Sequence, residues 1–521
     1  MFRSRSPIVL IQNLVSAIFG YVGLLFVLRF IGATQWGFVS FGIGFVGVLS
    51  IFGDLGYSTA HSIRVSEGDD IGLCNGTFLF IKLVLGFIFV GMVIGALEIW
   101  TLVLHRGFQS PIEYYVILSL IPYYLFQNLN GFNRTYFNAK LKSVRFSIPP
   151  LIEALFRNSV FIVIAVILRL NLSHVLGTDA AIALSITYSV SYSMYFGFGL
   201  FLGRPWEIRK PTGKMIKTYT ALALPLMLVT TVSTLNGNID KVVIQLFWAA
   251  IPTGAFYTGQ TIALIITSLG TSMSAFFLPL LIRMKNASKE IHNESIFEFE
   301  RKISRYILPF VVILVVLSAY ILNIFSQVYF VYFPILSFLA VRSYISVINS
   351  PYSSAMQSRT KLKTIAKIDI AVVSSNVVLI LLLVPVHVTG RLGYIFGPAG
   401  AAFAAVLTGV ASTLTYRINV SRLEGIGFNR TMFRQIPPAF IQAVFLYVLS
   451  RVIDLRPFVI LFPVSLASII LYFLLSMAFR EVKWKEIVSI AGSFSPSKIR
   501  KTFSREVESN YDDISEVMRE E

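Results

Sequence analysis

Residues 72–100 read GLCNGTFLFIKLVLGFIFVGMVIGALEIW, an apolar run with a lysine among its first dozen residues. About 20 apolar residues in a helix cross the hydrocarbon core of a bilayer, so this run is long enough to span a membrane. Lys82 would then lie within the membrane, where insertion scales give a central cation a cost of about 2.5–3.5 kcal/mol. Such residues generally face a bundle interior or a water-filled cavity. The stretch therefore predicts a membrane helix that carries a functional cation.

The same pattern recurs along the chain, whose 521 residues are 55% hydrophobic and only 13% charged. The apolar runs are continuous and do not alternate as β-barrel strands do. We therefore predict an all-α polytopic membrane protein with about fourteen transmembrane helices. The predicted spans are 7–31, 36–62, 72–100, 112–138, 147–170, 179–203, 217–247, 254–282, 306–326, 328–354, 364–386, 395–416, 432–453 and 457–479.

The net charge of +18 is divided unevenly between the segments that connect the predicted spans on the two sides of the membrane. If the N-terminus is cytoplasmic and every span crosses, the inner segments carry most of the Lys and Arg residues. The outer turns keep Arg29, Arg106, Arg169, Arg391, Arg451 and Arg456. By the positive-inside rule, this asymmetry predicts a multi-pass protein of the inner, cytoplasmic membrane with both termini in the cytoplasm. The basic charge therefore does not indicate nucleic-acid binding.

A faint internal repeat predicts two lobes around a central cavity. Shifting the chain by 217 positions places Gly37 on Gly254 and Gly53 on Gly270, and parallel repeats of this kind underlie several transporter folds. The predicted divisions are an N-lobe at 1–215 with spans one to six, a C-lobe at 216–420 with spans seven to twelve, two additional spans at 421–480 and a cytoplasmic tail at 481–521.

The sequence offers no catalytic constellation. Its five histidines and one cysteine give no metal-ligand spacing, no nucleophile–base pair and no glycine loop for phosphate. We therefore expect a protein that is not an enzyme, has no catalytic or metal site, and needs no cofactor other than a coupling Na⁺ or H⁺.

Buried cations are the features that indicate function. Lys82, Arg157, Lys241 and Arg342 lie inside apolar runs and are predicted to line a cationic cavity that binds a phosphate-bearing head group. The planar guanidinium group of arginine suits phosphate oxygens well. Arg64 and Arg134 are placed nearer the cytoplasmic entrance, where Arg134 can also snorkel to the head groups and Arg64 can be a topological anchor.

Three carboxylates accompany these cations and are predicted to act in coupling or gating: Asp54, Glu153 and Asp240. Glu153 lies four residues before Arg157 on one helical face, and Asp240 directly precedes Lys241, so both couples also fit structural ion pairs. Asp54 lies between Gly53 and Gly56, where it either binds a coupling cation or proton or caps a broken helix.

Several short motifs, in matching order and spacing, resemble a known family. They are Arg29-Phe30-Ile31-Gly32 before Gly37, Asp54-Leu55-Gly56-Tyr57 before Arg64, Asn238-Ile239-Asp240-Lys241 before Gly254-Ala255-Phe256-Tyr257, Ala355-Met356-Gln357 before Lys361-Leu362-Lys363, and Pro385 before Gly397-Pro398-Ala399-Gly400-Ala401-Ala402. The chain is similar in these stretches to the polysaccharide and oligosaccharide flippases of the multidrug/oligosaccharidyl-lipid/polysaccharide exporter superfamily. The turn Phe247-Trp248-Ala249-Ala250 departs from the family pattern, and the region after residue 430 matches nothing diagnostic.

The resemblance implies fourteen helices, with two six-helix lobes around a V-shaped cavity and two added C-terminal helices. It implies alternating access that flips a polyprenyl-diphosphate-linked oligosaccharide from the cytoplasmic to the outer leaflet, for cell-surface polysaccharide or glycoconjugate assembly. The implied partners are this lipid-linked oligosaccharide, membrane lipids and other glycan-assembly proteins.

Three other functions remain open at this point. A cation-coupled drug exporter of the same fold would need an acidic cavity, which the Lys/Arg bias disfavours. A membrane enzyme, such as a glycan polymerase or a glycosyltransferase, would need a large outer loop or a metal-binding carboxylate motif. A scaffold for glycan assembly would act through the tail, so deleting residues 485–521 separates it from the transporters.

Overall fold

The structure is a computed structural model that describes residues 6–67, 70–103, 108–139, 143–171, 178–204, 206–274, 277, 281, 284, 289–359, 361–386, 391–425, 427, 429–479 and 481. This part of the chain is about 90% helical and contains no β-strand. A helix pairs all of its backbone N–H and C=O groups internally, as a segment in a bilayer requires. The predicted all-α membrane fold is confirmed.

Contacts divide the chain into two compact units, one within Met1–Val242 and one within Val243–Ile490, with the boundary inside the eighth helix. The helices up to that boundary are α1 Ser6–Phe26, α2 Ala33–Leu49, α3 Tyr57–Glu67, α4 Ile71–Glu98, α5 Pro111–Ala139, α6 Ser143–Arg169, α7 Ala180–Leu202 and α8 Gly213–Phe247. The helices of the second unit are α9 Ala250–Ser274, α10 Lys289–Val316, α11 Ser318–Phe325, α12 Phe333–Ser358, α13 Leu362–Leu383, α14 Arg391–Phe396, α15 Ala399–Glu424, α16 Ile436–Val452 and α17 Phe458–Ala478.

Each of the fourteen predicted spans coincides with helical segments. By length and apolar composition, nine helices of the described residues are able to cross a membrane, or eleven when two bent pairs are each taken as one span. The other three predicted spans correspond to α5, α7 and α9, which have 29, 23 and 25 residues. Their Asn, Gln, Ser, Thr and Tyr side chains lower the mean hydropathy without shortening the helix.

Helix α2 is the innermost part of the first unit, and 72% of its most apolar window is buried. Glycines allow this depth, because small residues let helix backbones approach closely. A Cβ atom at Gly44 would lie 2.7 Å from the Cβ of Lys241, and one at Gly47 would lie 2.5 Å from the Tyr124 hydroxyl oxygen. Helices α5 and α8 therefore approach the α2 backbone directly.

The second predicted span is broken in its middle. Helix α2 passes into a 3₁₀ turn at Ser50–Gly53, and α3 begins only at Tyr57. Between them Leu55 has φ 45° and Gly56 has φ 82°, a left-handed conformation that ends the first helix. Asp54 caps the second helix, because its Oδ1 accepts a hydrogen bond of 3.2 Å from the Ser58 N–H. The capping role considered for Asp54 is thus observed.

In the second unit, α12 packs against α9, α10 and α15, and α13 packs along α15. The last two helices pair with each other, and an apolar cluster with α10 and α11 holds them in place; it comprises Ile313, Leu317, Leu446, Leu455 and Leu461. Helices α10 and α11 meet at an angle of 72°, which bends the predicted span 306–326.

Candidate functional site

Lys82 and Asp54 form an ion pair at the break between α2 and α3. The Lys82 ammonium also donates a hydrogen bond of 3.1 Å to the Gly53 carbonyl oxygen, and it lies 5.4 Å from the centre of the Phe78 ring. The Lys82 side chain has no exposed surface, whereas 23% of the Asp54 side chain is exposed. Helix α4 thus directs the predicted cation onto the end of a broken helix, at a carboxylate that is only partly exposed.

Glu153 and Arg157 form the second pair, on α6. Arg157 Nε lies 2.6 Å from Glu153 Oε1, which also accepts a hydrogen bond of 3.3 Å from the Ser191 hydroxyl. The guanidinium group lies 4.9 Å from the Tyr188 ring centre and 5.8 Å from that of Phe161. About a fifth of the Arg157 side chain (19%) remains exposed. The cation therefore lies against aromatic rings and is still accessible from outside the protein.

Asp240 and Lys241 are both buried near the end of α8. Lys241 donates a hydrogen bond of 2.6 Å from Nζ to the carbonyl oxygen of Gly237, one turn earlier in the same helix. Its stem passes against Gly44 of α2. The ammonium group is therefore satisfied by the backbone of its own helix, and Asp240 provides an adjacent negative charge.

Arg342 belongs to the second unit, on α12, where its side chain is partly buried. A Cβ atom at Gly409 of α15 would lie 3.1 Å from Arg342 Cδ, so the stem packs across this glycine. Of the four predicted cavity cations, three lie in the first unit and Arg342 lies in the second.

The two predicted entrance residues differ in their surroundings. Arg64, on α3, forms an ion pair of 3.0 Å with Glu67, and both side chains are at least 24% exposed. Arg134, on α5, is exposed, and its guanidinium group lies 5.7 Å from the Phe146 ring centre. An exposed arginine that lies against an aromatic ring suits a membrane–water interface.

Sequence reasoning assigned no role to the polar groups that surround Asp54. On α3, the Ser58 hydroxyl group hydrogen-bonds to the Asp54 carboxylate, and Ser62 lies 3.2 Å from the Thr135 hydroxyl. His61 is buried, stacks on Phe78 and lies 2.9 Å from the Tyr219 hydroxyl through Nδ1. In the sequence, positions 54, 58, 61 and 62 have the spacing of one helical face, and this spacing could have predicted that their polar side chains lie together.

A second polar network, also not predicted, lies in the other unit. Glu300 of α10 forms an ion pair with Arg417 of α15. It also accepts hydrogen bonds from the Tyr352 hydroxyl at 2.8 Å and from the Asn429 amide at 2.9 Å. Nearby, Arg301 and Arg305 pair with Glu481 beyond the last helix. These contacts fasten the chain around α16 and α17 to α10.

Beside this network is a cavity of about 500 Å³ whose walls are mainly apolar. Ser304, Tyr344, Arg417 and Gln435 provide its polar atoms, and Phe433 and Phe440 lie at its exposed side. Ser304 donates a hydrogen bond of 2.6 Å to Gln435. Ser304, Tyr344 and Gln435 are thus already hydrogen-bonded to each other, and Arg417 is paired with Glu300.

Buried charges of the described residues are mixed in sign. The carboxylates are Glu113, Glu153, Asp240, Glu300 and Glu481, and the cations are Lys82, Lys241 and Arg305. In this state the first unit therefore holds cations together with carboxylates, not cations alone. Within the same described residues, no three His, Cys, Asp or Glu side chains gather as a metal site.

Comparison with solved structures identifies the fold. The chain superposes on the lipid II flippase MurJ in an inward closed conformation with a TM-score of 0.69, at 18% identity, over 92% of this chain and 99% of that one. It superposes on an inward-facing multidrug resistance MATE transporter of the MOP superfamily with a TM-score of 0.60, at 16% identity, over 79% and 96%. A MOP superfamily transporter from Pyrococcus furiosus Vc1 (DSM3638), described as having a binding pocket of reverse polarity, gives a TM-score of 0.54 at 15% identity, over 81% and 95%.

The fold and the buried charges thus define a multi-pass membrane protein with the architecture of MOP superfamily transporters. A search of curated proteins found no significant match. The family model described as "Polysaccharide biosynthesis protein" matches residues 6–285, which is more than half of the chain. The chain belongs to this family.

Proposed function

We propose that this protein is a flippase that moves a polyprenyl-diphosphate-linked oligosaccharide from the cytoplasmic to the outer leaflet. The observation that carries the proposal is the presence of Lys82, Arg157 and Lys241 within the first unit of a polysaccharide biosynthesis family member that has a transporter fold. Cations within membrane-spanning helices are costly and typically mark substrate pathways. A diphosphate head group is the anion that a lipid-linked glycan brings into the membrane.

In this proposal the chain's residues have distinct tasks. Arg157, whose guanidinium group lies 4.9 Å from the Tyr188 ring centre, presents a planar fork to phosphate oxygens. Lys82 provides a compact charge on a flexible stem. The lipid tail stays in the bilayer while the head group crosses by alternating access. The protein then needs no catalytic residue, in line with a transporter that is not an enzyme.

Electrostatics favours this direction of transport. A potential that is negative inside drives anions outward, at about 2.3 kcal/mol per charge and 100 mV. A head group with two negative charges would therefore gain about 4.6 kcal/mol per 100 mV, provided that the protein's cations return unloaded.

Reconstitution tests the proposal. Purified protein in liposomes is expected to flip a polyprenyl diphosphate that carries a fluorescent oligosaccharide, as measured by the fraction that a membrane-impermeant quencher can reach. Liposomes with a heat-inactivated sample provide the control. Flipping of the lipid-linked oligosaccharide no faster than in that control would contradict the proposal.

A second candidate, a cation-coupled exporter of drugs or small molecules, is favoured by the carboxylates Asp54 and Glu153 beside these cations and by the likeness to MATE transporters. The same liposomes distinguish the two functions, because an exporter would move a cationic dye against a Na⁺ or H⁺ gradient. We expect no such movement from this protein.

A further inference from the structure

The break between α2 and α3 forms an oxygen-lined position that the Lys82 ammonium occupies. Two oxygens surround its Nζ, the Gly53 carbonyl oxygen at 3.1 Å and the ion-paired Asp54 carboxylate. Unwound carbonyl groups and carboxylates at a broken membrane helix are the groups with which transporters coordinate cations. Here a side chain of the protein itself stands where a free cation would bind.

The two partners differ in how firmly they are held. Asp54 is fixed by the start of α3, because the Ser58 N–H at 3.2 Å and the Ser58 hydroxyl both donate to its Oδ1. The φ angles of Leu55 and Gly56 hold the backbone at this turn. Lys82, in contrast, reaches the site on a four-carbon stem with rotatable bonds. Of the two groups, Lys82 is therefore the one that is able to leave.

We propose that Asp54 is an internal competitor for Lys82: an anionic diphosphate engages Lys82 only when the ammonium leaves Asp54, and the vacated carboxylate takes up one proton. This inference rests on the proposed function, because it takes the diphosphate head group as the anion. The proton comes from water at the exposed part of the Asp54 side chain and forms the O–H bond of a neutral carboxylic acid there.

Proton uptake follows from the surroundings of Asp54. A carboxylate that loses its buried cation has an uncompensated charge in a poorly solvated site, which a proton removes. The titratable groups that face the pair are Lys82 from α4, His61 from α3 and, through His61, Tyr219 from α8. Helix α5 presents the neutral Asn128 amide against Gly53. Within the described residues, these groups provide no second fixed cation to replace Lys82.

The consequence is reciprocal coupling. Because the anion and Asp54 compete for one ammonium, protonation of Asp54 strengthens anion binding, and anion binding strengthens protonation by the same factor. Each loaded carrier then holds one proton more than each empty one, so this proton cancels one of the head group's two negative charges and halves the outward electrical drive given above for the head group alone.

Calorimetry on the full-length protein in nanodiscs tests this coupling, with geranylgeranyl diphosphate as the probe. Titrations in buffers of different ionisation enthalpy, at a pH where the diphosphate is fully ionised, give the number of protons taken up per ligand. Wild type is expected to take up about one proton, and D54N none, with about tenfold tighter binding. K82Q is expected to lose at least tenfold in affinity.

Asp70→Asn is the matched control. Asp70 also caps a helix and pairs with a basic residue, Arg209 at 2.7 Å, but that pair is exposed. D70N should match wild type in affinity and in proton count. The side-chain amide oxygen that D54N introduces can still accept the Ser58 N–H bond, so this variant is expected to fold. If D54N does not fold, the number of protons that the wild type takes up per ligand decides whether anion binding and protonation of Asp54 are coupled.

The outcomes distinguish a failure of this inference from a failure of the proposed function. A wild type that takes up no proton, or a folded D54N with unchanged affinity, overturns the competition while leaving a diphosphate site in place. Binding by K82Q that equals wild type overturns the competition and also the role proposed for Lys82. No binding by wild type overturns both this inference and the proposed function.

Discussion

Lys82 and Asp54 are two opposite charges that share one poorly solvated site, and neither is independent of the other. Removing one partner of a buried ion pair leaves an uncompensated charge, which typically costs about 3–5 kcal/mol, whereas replacing both partners is often nearly neutral. Since 23% of the Asp54 side chain is exposed, the lower end of that range applies here. The pair therefore behaves as one unit in stability.

K82A should accordingly destabilise the protein by about 3 kcal/mol, because Asp54 keeps its charge without the ammonium. The double variant D54N/K82Q should lie within about 1 kcal/mol of wild type, because no charge remains to be compensated. Thermal unfolding in detergent measures both. Equal losses in the two variants would show that the ion pair is not the unit of stability.

At this scale the sequence predicts only partners that are close along the chain. Glu153 and Arg157 are four residues apart, and the predicted ion pair is present. Asp54 and Lys82 are separated by 28 residues and lie on different helices, so no local pattern shows their contact. The same holds for Glu300 and Arg417, which are separated by 117 residues.

At the scale of elements, α2 depends on small residues to reach its buried position. Gly44 faces the stem of Lys241 so closely that a Cβ atom has no room. Overpacking of this kind typically costs about 1–3 kcal/mol and shifts the backbone. The helix pair formed by α2 and α8 is thus specified by the absence of a side chain.

G44V is therefore expected to lower the stability by about 2 kcal/mol, measured as the loss of folded protein on heating. Gly91→Val in α4 is the matched control, because no described atom lies within 4 Å of a Cβ there. A valine at position 91 should change the stability by less than about 1 kcal/mol, because it meets no neighbouring atom and its helix propensity is no worse than that of glycine. The glycine interpretation would be wrong if both variants lost the same stability.

Glu300 connects three elements to α10, and its charge is essential for that connection. E300Q keeps the size of the side chain but removes the negative charge that pairs with Arg417, so a loss of about 2–4 kcal/mol is expected. E298Q is the control, because its pair with Lys302 is about half exposed, and it should change stability by less than about 0.5 kcal/mol. Unfolding in detergent compares the two, and a loss from E298Q as large as that from E300Q would contradict the role of burial.

Helix positions were predictable from apolar length, but their ends and bends were not. Helix α10 begins at Lys289, well before the predicted span at 306, because its first turns carry charged side chains that an apolar run does not include. The sequence did not decide whether the helix breaks at Asp54, since Gly53 and Gly56 allow a break without requiring one. Packing against α4 and α8 decides such cases, and it depends on residues far away in the chain.

For the whole molecule, the charge asymmetry predicts which turns face the cytoplasm. Cys74 is buried and is the only cysteine, so Cys74→Ser gives a background for single-cysteine labelling. In intact cells a membrane-impermeant maleimide should label N171C and should not label K210C until the cells are permeabilised. Both positions are exposed in the structure. The reverse pattern would invert the proposed topology.

The central claim is that cations within the membrane-spanning helices carry the diphosphate of a lipid-linked glycan across the membrane. Its most direct test is the flipping rate in liposomes of the triple variant K82Q/R157Q/R342Q, with Arg209→Gln, an exposed arginine, as the control. Because charge-assisted contacts contribute about 1.5–3 kcal/mol each, we expect the triple variant to be slower by about 100-fold or more and R209Q to be unchanged. A folded triple variant that flips the lipid-linked oligosaccharide at the wild-type rate would contradict the claim.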